Sequence, residues 1–101
     1  MPTEDPRLDL SLDTDGTLVL QGEIDSYTAP DLAERLATDP PVEVVDLAGV
    51  TFIDSSGLRA IVEAHQARSA AGTRLVLRSP SAAVQRLLEI SGLAGHLDVV
   101  S

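Results

Sequence analysis

The chain has no cysteine, no lysine and no tryptophan. Without cysteine there can be no disulfide, no thiolate nucleophile and no cysteine-ligated zinc. Without lysine a phosphate loop of the GxxxxGK[ST] type cannot be completed, and no GxGxxG run is present either. Aromatic residues are nearly missing, Tyr27 and Phe52 being the whole set, so a core has to be built from Leu, Val, Ile and Ala. Positive charge is scarce: seven arginines stand against sixteen acids, for a formal charge of −9. That balance opposes sequence-independent binding to DNA, RNA or an anionic lipid surface, because phosphates are repelled. No apolar run approaches the ~18 residues of a membrane span. The N-terminus, MPTEDPRLDL, lacks the basic head and apolar stretch of a signal peptide, so a cytoplasmic location and no membrane association are expected.

What remains is a chain of 101 residues that is 44% hydrophobic, enough for a buried core. Its length suits one domain, with a radius of gyration of roughly 13 Å. Residues 1–7 read as a polar N-terminal tail and 8–101 as the domain. Leu8, Leu10 and Leu12 alternate with Asp9, Ser11 and Asp13, the pattern of a half-buried strand. Asp15-Gly16 predicts a tight hairpin with positive φ at both centres, and residues 17–24 a second strand with Leu18, Leu20 and Ile24 on one face. Thr28 and Asp31 resemble a capping box, with Pro30 suited to a first helical turn. Leu32, Ala33 and Leu36 continue at helical spacing, and Asp39-Pro40-Pro41 should end the helix.

Residues 42–48 read as an apolar strand. From 58 to 71, Leu58, Ile61, Val62 and His65 form one helical stripe, and Ala60, Ala64, Ala67 and Ala71 an adjacent stripe that permits close packing. Gly72 is a helix stop. Residues 73–78 alternate as a strand with Leu75 and Leu77 facing one way. Ser79-Pro80 predicts a helix start running to Gly92, and 97–100 a last short strand. The expected fold is α/β: a mixed sheet of four to five strands, beginning with a hairpin and continuing as β-α repeats with parallel, right-handed crossovers. Alternation in two strands implies that the helices gather mainly on one face.

Enzyme chemistry finds little support. The imidazoles, His65 and His96, are not paired by spacing with Ser55 and Ser56, so no hydrolytic triad is legible. His65 reads as a packing or boundary residue. Asp25 and Asp54 are candidate acid–base carboxylates, but sixteen acids in a short chain make chance pairs common. No metal, cofactor or catalytic residue is expected. The segment Asp54-Ser55-Ser56-Gly57 stands between a strand and a helix. One reading is a helix N-cap, worth about 1 kcal/mol. The other is a phosphorylation switch. A serine hydroxyl at a helix N-terminus is accessible, and a phosphate there gains about 0.3–1 kcal/mol from the helix dipole. The modification would then act on whatever packs over that spot. The two readings are compatible.

Residues 44–77, VVDLAGVTFIDSSGLRAIVEAHQARSAAGTRLVL, resemble the STAS domain, and specifically the small bacterial anti-sigma-factor antagonists. Upstream GEID (22–25), with Pro30 opening the next helix, and SPSAAVQRLLEISGL (79–93) fit the same pattern. The resemblance implies a non-enzymatic regulator that binds an anti-sigma factor which is also a serine kinase, so releasing a sigma factor. The kinase would inactivate it by phosphorylating the serine after the Asp of DSSG, here Ser55, and a phosphatase would reverse this. Asp25, Asp54, Ser56, Gly57 and Leu58 would lie at the partner-binding end. Ser26 and Tyr27 stand where members commonly have small apolar residues. The alternative within the resemblance is a stand-alone STAS subunit of a lipid-transport ATPase complex.

Overall fold

The computed structural model describes residues 7–37 and 41–101. Residues 1–6 of the expected tail, and the Asp39-Pro40 helix stop, lie outside the described residues. The order is β1 (Leu8–Leu12), β2 (Leu18–Ile24), α1 (Ala29–Leu36), β3 (Val44–Ile53), α2 (Ser55–Ala70), β4 (Val76–Arg78), α3 (Ala82–Ser91), a 3-10 turn (Ala94–His96) and β5 (Asp98–Val100). The strands form one sheet in the order β1-β2-β3-β4-β5. The hairpin pair is antiparallel and every later pair is parallel, so the predicted mixed sheet is found with five strands. The Cα radius of gyration is 12.4 Å.

Alternation decides the layering. Leu8, Leu10, Leu18, Leu20, Ile24, Val45, Leu47, Val50, Ile53 and Leu77 are buried. They join Leu32 and Leu36 of α1, Leu58 and Ile61 of α2, and Val84 and Leu88 of α3 in one core cluster. The intervening strand residues, such as Asp9, Ser11, Gln21, Asp46 and Arg78, are half-buried or exposed. The sheet therefore has one open face, and the helices pack on the other. On the open face Asp46 and Arg78 are register partners on neighbouring strands, with Arg78 Nη2 donating to Asp46 Oδ2 at 3.0 Å.

Several local expectations are revised by the packing. Leu12 is exposed, since the strand ends where the hairpin leaves the core. In the hairpin only Gly16 has positive φ, 86°, because the turn closes from the Asp13 carbonyl to the Gly16 amide and centres on Thr14-Asp15. β3 runs on to Ile53, while β4 is only three residues long. α3 is capped by Ser81, not Ser79, which takes a left-handed φ of 53° so that Pro80 stays outside the helix. Gly92 closes α3 in the left-handed conformation, as the sequence predicts. Of the alanine stripe, Ala60 is buried and Ala64 packs on the core, but Ala67 and Ala71 are exposed.

Arg68 is the unexpected core residue. It extends the Leu58-Ile61-His65 stripe by one turn and is only 7% exposed. Its guanidinium donates to the Leu36 carbonyl at the end of α1 (2.8 Å) and to the Val42 carbonyl before β3. One acceptor ends α1 and the other precedes β3, so this side chain ties both to α2. Arg68→Ala should cost about 1–3 kcal/mol, as the two carbonyls lose their donors. Arg68→Lys should recover only part of the loss, since one ammonium lacks the planar fork that spans both. Denaturant melts of the three proteins check this; a loss below about half a kcal/mol would show that Leu36 and Val42 are held without the arginine.

Candidate functional site

Two aspartates, 29 residues apart, are brought together by the parallel pairing of β2 and β3. Ile24 and Ile53 are register partners at the strand ends, so Asp25 and Asp54 leave the sheet side by side. The Asp54 amide donates to the Ile24 carbonyl at 3.1 Å, which locks the two exits together. The register is reached through an irregularity at Gly22, whose φ of 116° suits glycine alone. A Cβ there would stand 2.0 Å from the Arg7 carbonyl oxygen.

Each aspartate then opens a helical turn in the same way. Asp54 Oδ1 accepts from the amides of Ser56 (2.9 Å) and Gly57 (3.1 Å), making Asp54 the N-cap of α2. Asp25 Oδ1 accepts from the amides of Tyr27 (2.9 Å) and Thr28 (3.1 Å). In return the Asp25 amide donates to Thr28 Oγ1 at 2.8 Å, and the buried Thr28 hydroxyl donates to the Glu23 carbonyl. This reciprocal pair replaces the expected Thr28–Asp31 capping box: Thr28 makes no side-chain cap bond to α1. The cap sits one turn earlier because Thr28 is spent on anchoring the exit from β2. The signal was in the sequence, as Ile-Asp-Ser occurs at both 24–26 and 53–55.

Asp25 carries a further cluster. Arg7 Nη1 lies 3.1 Å from Asp25 Oδ2, and its guanidinium carbon stands 5.2 Å from the centroid of the exposed Tyr27 ring. The Arg7 carbonyl accepts from the Glu23 amide at 2.9 Å, so this residue is tied to the fold where the sequence reading placed it in the tail. Burial pushes the Asp25 carboxyl up, but the Thr28 and Tyr27 amides, Arg7 and the Thr28 hydroxyl outweigh it and hold the pKa below the ordinary carboxylate value. A depressed folded pKa contributes stability above the unfolded value of about 3.9 and loses it as pH falls through the folded value. Wild type should therefore lose more stability than Asp25→Asn on acidification below about pH 4. Parallel slopes in pH-stepped urea melts would overturn this.

The five residues expected at the partner-binding end and Ser55, the expected phosphorylation site, divide. Asp25 and Asp54 stand at one end of the sheet, partly exposed, with Ser56 half-buried beside them. Gly57 and Leu58 are buried. A Cβ on Gly57 would meet Ile24 Cγ2 at 2.5 Å, so glycine is what lets the first turn of α2 touch the strand ends. Gly57 and Leu58 thus position the first turn of α2. Ser55 is exposed, and Asp54 already serves the cap. Ser55→Ala should therefore change stability by less than about 0.5 kcal/mol. Asp54→Ala should cost about 0.5–2 kcal/mol. Equal losses in thermal melts would show that the two residues share the cap.

Ser55 and Ser56 border a groove of about 420 Å³ between the entry to α1 and the first turns of α2. Ser26, Pro30 and Ala33 line one wall, Arg59 and Glu63 the other. The groove holds no imidazole. His65 lies ten residues, about 15 Å, further along α2, with Nε2 3.5 Å from Asp98 Oδ2. His96 is exposed in the 3-10 turn. Among the described residues no group of three or more His, Cys, Asp or Glu side chains is arranged to hold a metal, and no helix is long and apolar enough to cross a membrane.

Comparison with known proteins places these features in a family. A family model described as "Mlab, STAS domain" matches residues 9–101. The chain is 36% identical over 86 residues to the anti-sigma-B factor antagonist of Listeria monocytogenes, covering 81% of this chain and 75% of that one. The anti-sigma-B factor antagonist of Listeria innocua matches equally. Among solved structures, an anti-sigma factor antagonist from Mycobacterium paratuberculosis superposes with a TM-score of 0.71 at 27% identity, covering 95% of this chain and 88% of that one. The anti-sigma factor antagonist SpoIIAA in its unphosphorylated form shares the fold, with a TM-score of 0.68 at 23% identity over 93% of this chain and 88% of that one.

Proposed function

The chain belongs to the STAS-domain family of anti-sigma factor antagonists, and from that membership we propose that it is a partner switch controlled at Ser55. The unphosphorylated form binds an anti-sigma factor that is also a serine kinase, and so frees a sigma factor. Transfer of the γ-phosphoryl group of ATP to Ser55 Oγ, with loss of the hydroxyl proton and release of ADP, switches binding off. A Ser/Thr phosphatase restores it, and the cycle runs in the cytoplasm. The protein itself acts as a binding module and not as an enzyme.

One observation carries the assignment of Ser55. In the DSSG turn the neighbours are committed to structure: Asp54 caps α2, Gly57 provides the close approach and Leu58 enters the core. Ser55 alone is exposed there. A kinase can reach its hydroxyl without unfolding the turn. The contact surface is the end of the sheet where Asp25, Asp54 and Ser56 meet.

The test is incubation with a candidate anti-sigma kinase and ATP, read by intact mass and then by peptide mapping. A gain of one phosphoryl group on Ser55, lost in Ser55→Ala and kept in Ser56→Ala, is expected. Phosphate mapped to Ser56 would overturn the site. Stable binding to a lipid-transport ATPase, with no mass gain from any kinase tested, would favour the alternative of a subunit in such a complex.

A further inference from the structure

We propose that Arg59 is the positioning residue of the phosphorylated state, its guanidinium pairing with a phosphoryl group on Ser55 within the groove between α1 and α2. The inference rests on the reading of Ser55 as the modified residue. Ser55 and Arg59 are four residues apart on α2, one turn along the same face, where Cβ atoms stand about 5–6 Å from each other. Both line the groove.

Two further observations single out this arginine. Two of the first-turn amides, those of Ser56 and Gly57, already donate to Asp54 Oδ1. These two amides are therefore not free to bind an incoming phosphate, which leaves the weak dipole of the helix and the Ser55 amide beside it. The wall across the groove, with Ser26, Ala29, Pro30 and Ala33, supplies no cation. Arg59 is exposed and makes no ion pair among the described residues, so it can turn toward a new anion at little cost. Arg7, the other cation at this end of the sheet, is held by Asp25 and Tyr27.

The pairing has a consequence for the switch. A phosphate placed beside Asp54 and Asp25, with Glu63 further along α2, sits among like charges that favour its singly charged form. Arg59 opposes them and favours the dianion. Modification then changes two things at once. It adds charge at Ser55, and it draws an exposed guanidinium down onto the first turn of α2.

The experiment reads the phosphate directly. Phosphoserine is installed at position 55 of the full chain during translation, so that no kinase has to select the site. Its second ionisation is followed by phosphorus-31 NMR against pH, in the wild-type background, in Arg59→Gln and in Arg59→Lys. Arg59→Gln should raise the phosphate pKa by about half a pH unit, a roughly threefold change in proton affinity, and Arg59→Lys should return part of the shift. The Tm of the variants should match wild type, as Arg59 is exposed. Equal pKa values in wild type and Arg59→Gln would overturn the inference, whether both are low, through the helix dipole, or both ordinary. Kinase mapping to Ser56 would sink the assignment of Ser55 as the switch and leave this measurement standing.

Discussion

Phosphorylation of Ser55 is expected to weaken partner binding by roughly two to four orders of magnitude, while the domain stays folded. The phosphate adds about −1.5 to −2 charges at neutral pH. It lies beside Asp54, and Asp25 leaves the neighbouring strand at the same end of the sheet. While this surface faces water, two unit charges about 6 Å apart repel by less than about 1 kcal/mol. When a partner closes over them and the effective dielectric falls to about 20, the repulsion rises to roughly 3 kcal/mol. The phosphate must also be stripped of water, at several kcal/mol unless the partner supplies a cation. Part of this is recovered in polar contacts, and a net loss of about 3–5 kcal/mol corresponds to the stated range.

The helix dipole stabilises the phosphate by about 0.3–1 kcal/mol, in free and bound states alike, so it cannot cancel the loss. Ser55→Asp carries one charge and should lower affinity by about one to two orders of magnitude. Ser55→Ala should bind as wild type, because the cap belongs to Asp54. Calorimetric titration of the four forms against the anti-sigma factor checks the series. Wild-type affinity in both the phosphorylated protein and Ser55→Asp would show that Ser55 is not the switch.

Ile61→Ala should destabilise the domain by about 2–5 kcal/mol. Ile61 is 1% exposed, on the face of α2 that packs against the sheet, within the cluster that holds Leu32 of α1 and Leu47 of β3. Truncation removes buried methyl groups and leaves a cavity at the junction of two helices and the sheet. A typical total stability is about 5–15 kcal/mol, so the loss is a large share. The urea midpoint should fall with the slope unchanged, since the surface exposed on unfolding is nearly the same. The effect also reaches the site. α2 begins at Ser55, its Gly57 lies against Ile24 and Ile53, and Ile61 is buried one turn further along the same helix. A loss below about half a kcal/mol would mean that α2 is held to the sheet by other contacts.

Much of this architecture is legible in short stretches of sequence. Alternating leucines at 8–10, 18–20 and 75–77 mark strand faces, and all six side chains are buried as the alternation requires. The DSSG turn announces a helix start, and Asp54 caps it. Gly92 ends α3 with positive φ. These signals act over a few residues, through steric preference and side-chain to backbone hydrogen bonds, so they survive without knowledge of the rest of the chain.

The sequence by itself determined the five strands and three helices, the buried leucines of β1, β2 and the approach to β4, and a serine turn at the head of a long helix. Tertiary structure decided which residues meet. The Ile24–Ile53 register places Asp25 beside Asp54, across 29 positions. Tertiary packing also turns Arg7 from a tail residue into a partner of Asp25 and Tyr27. It buries Arg68 against the carbonyls of Leu36 and Val42, and it moves the cap of α3 from Ser79 to Ser81. The reason is one of range. Periodicity and capping are set by neighbours along the chain, whereas parallel pairing joins distant segments through a register that no local pattern encodes.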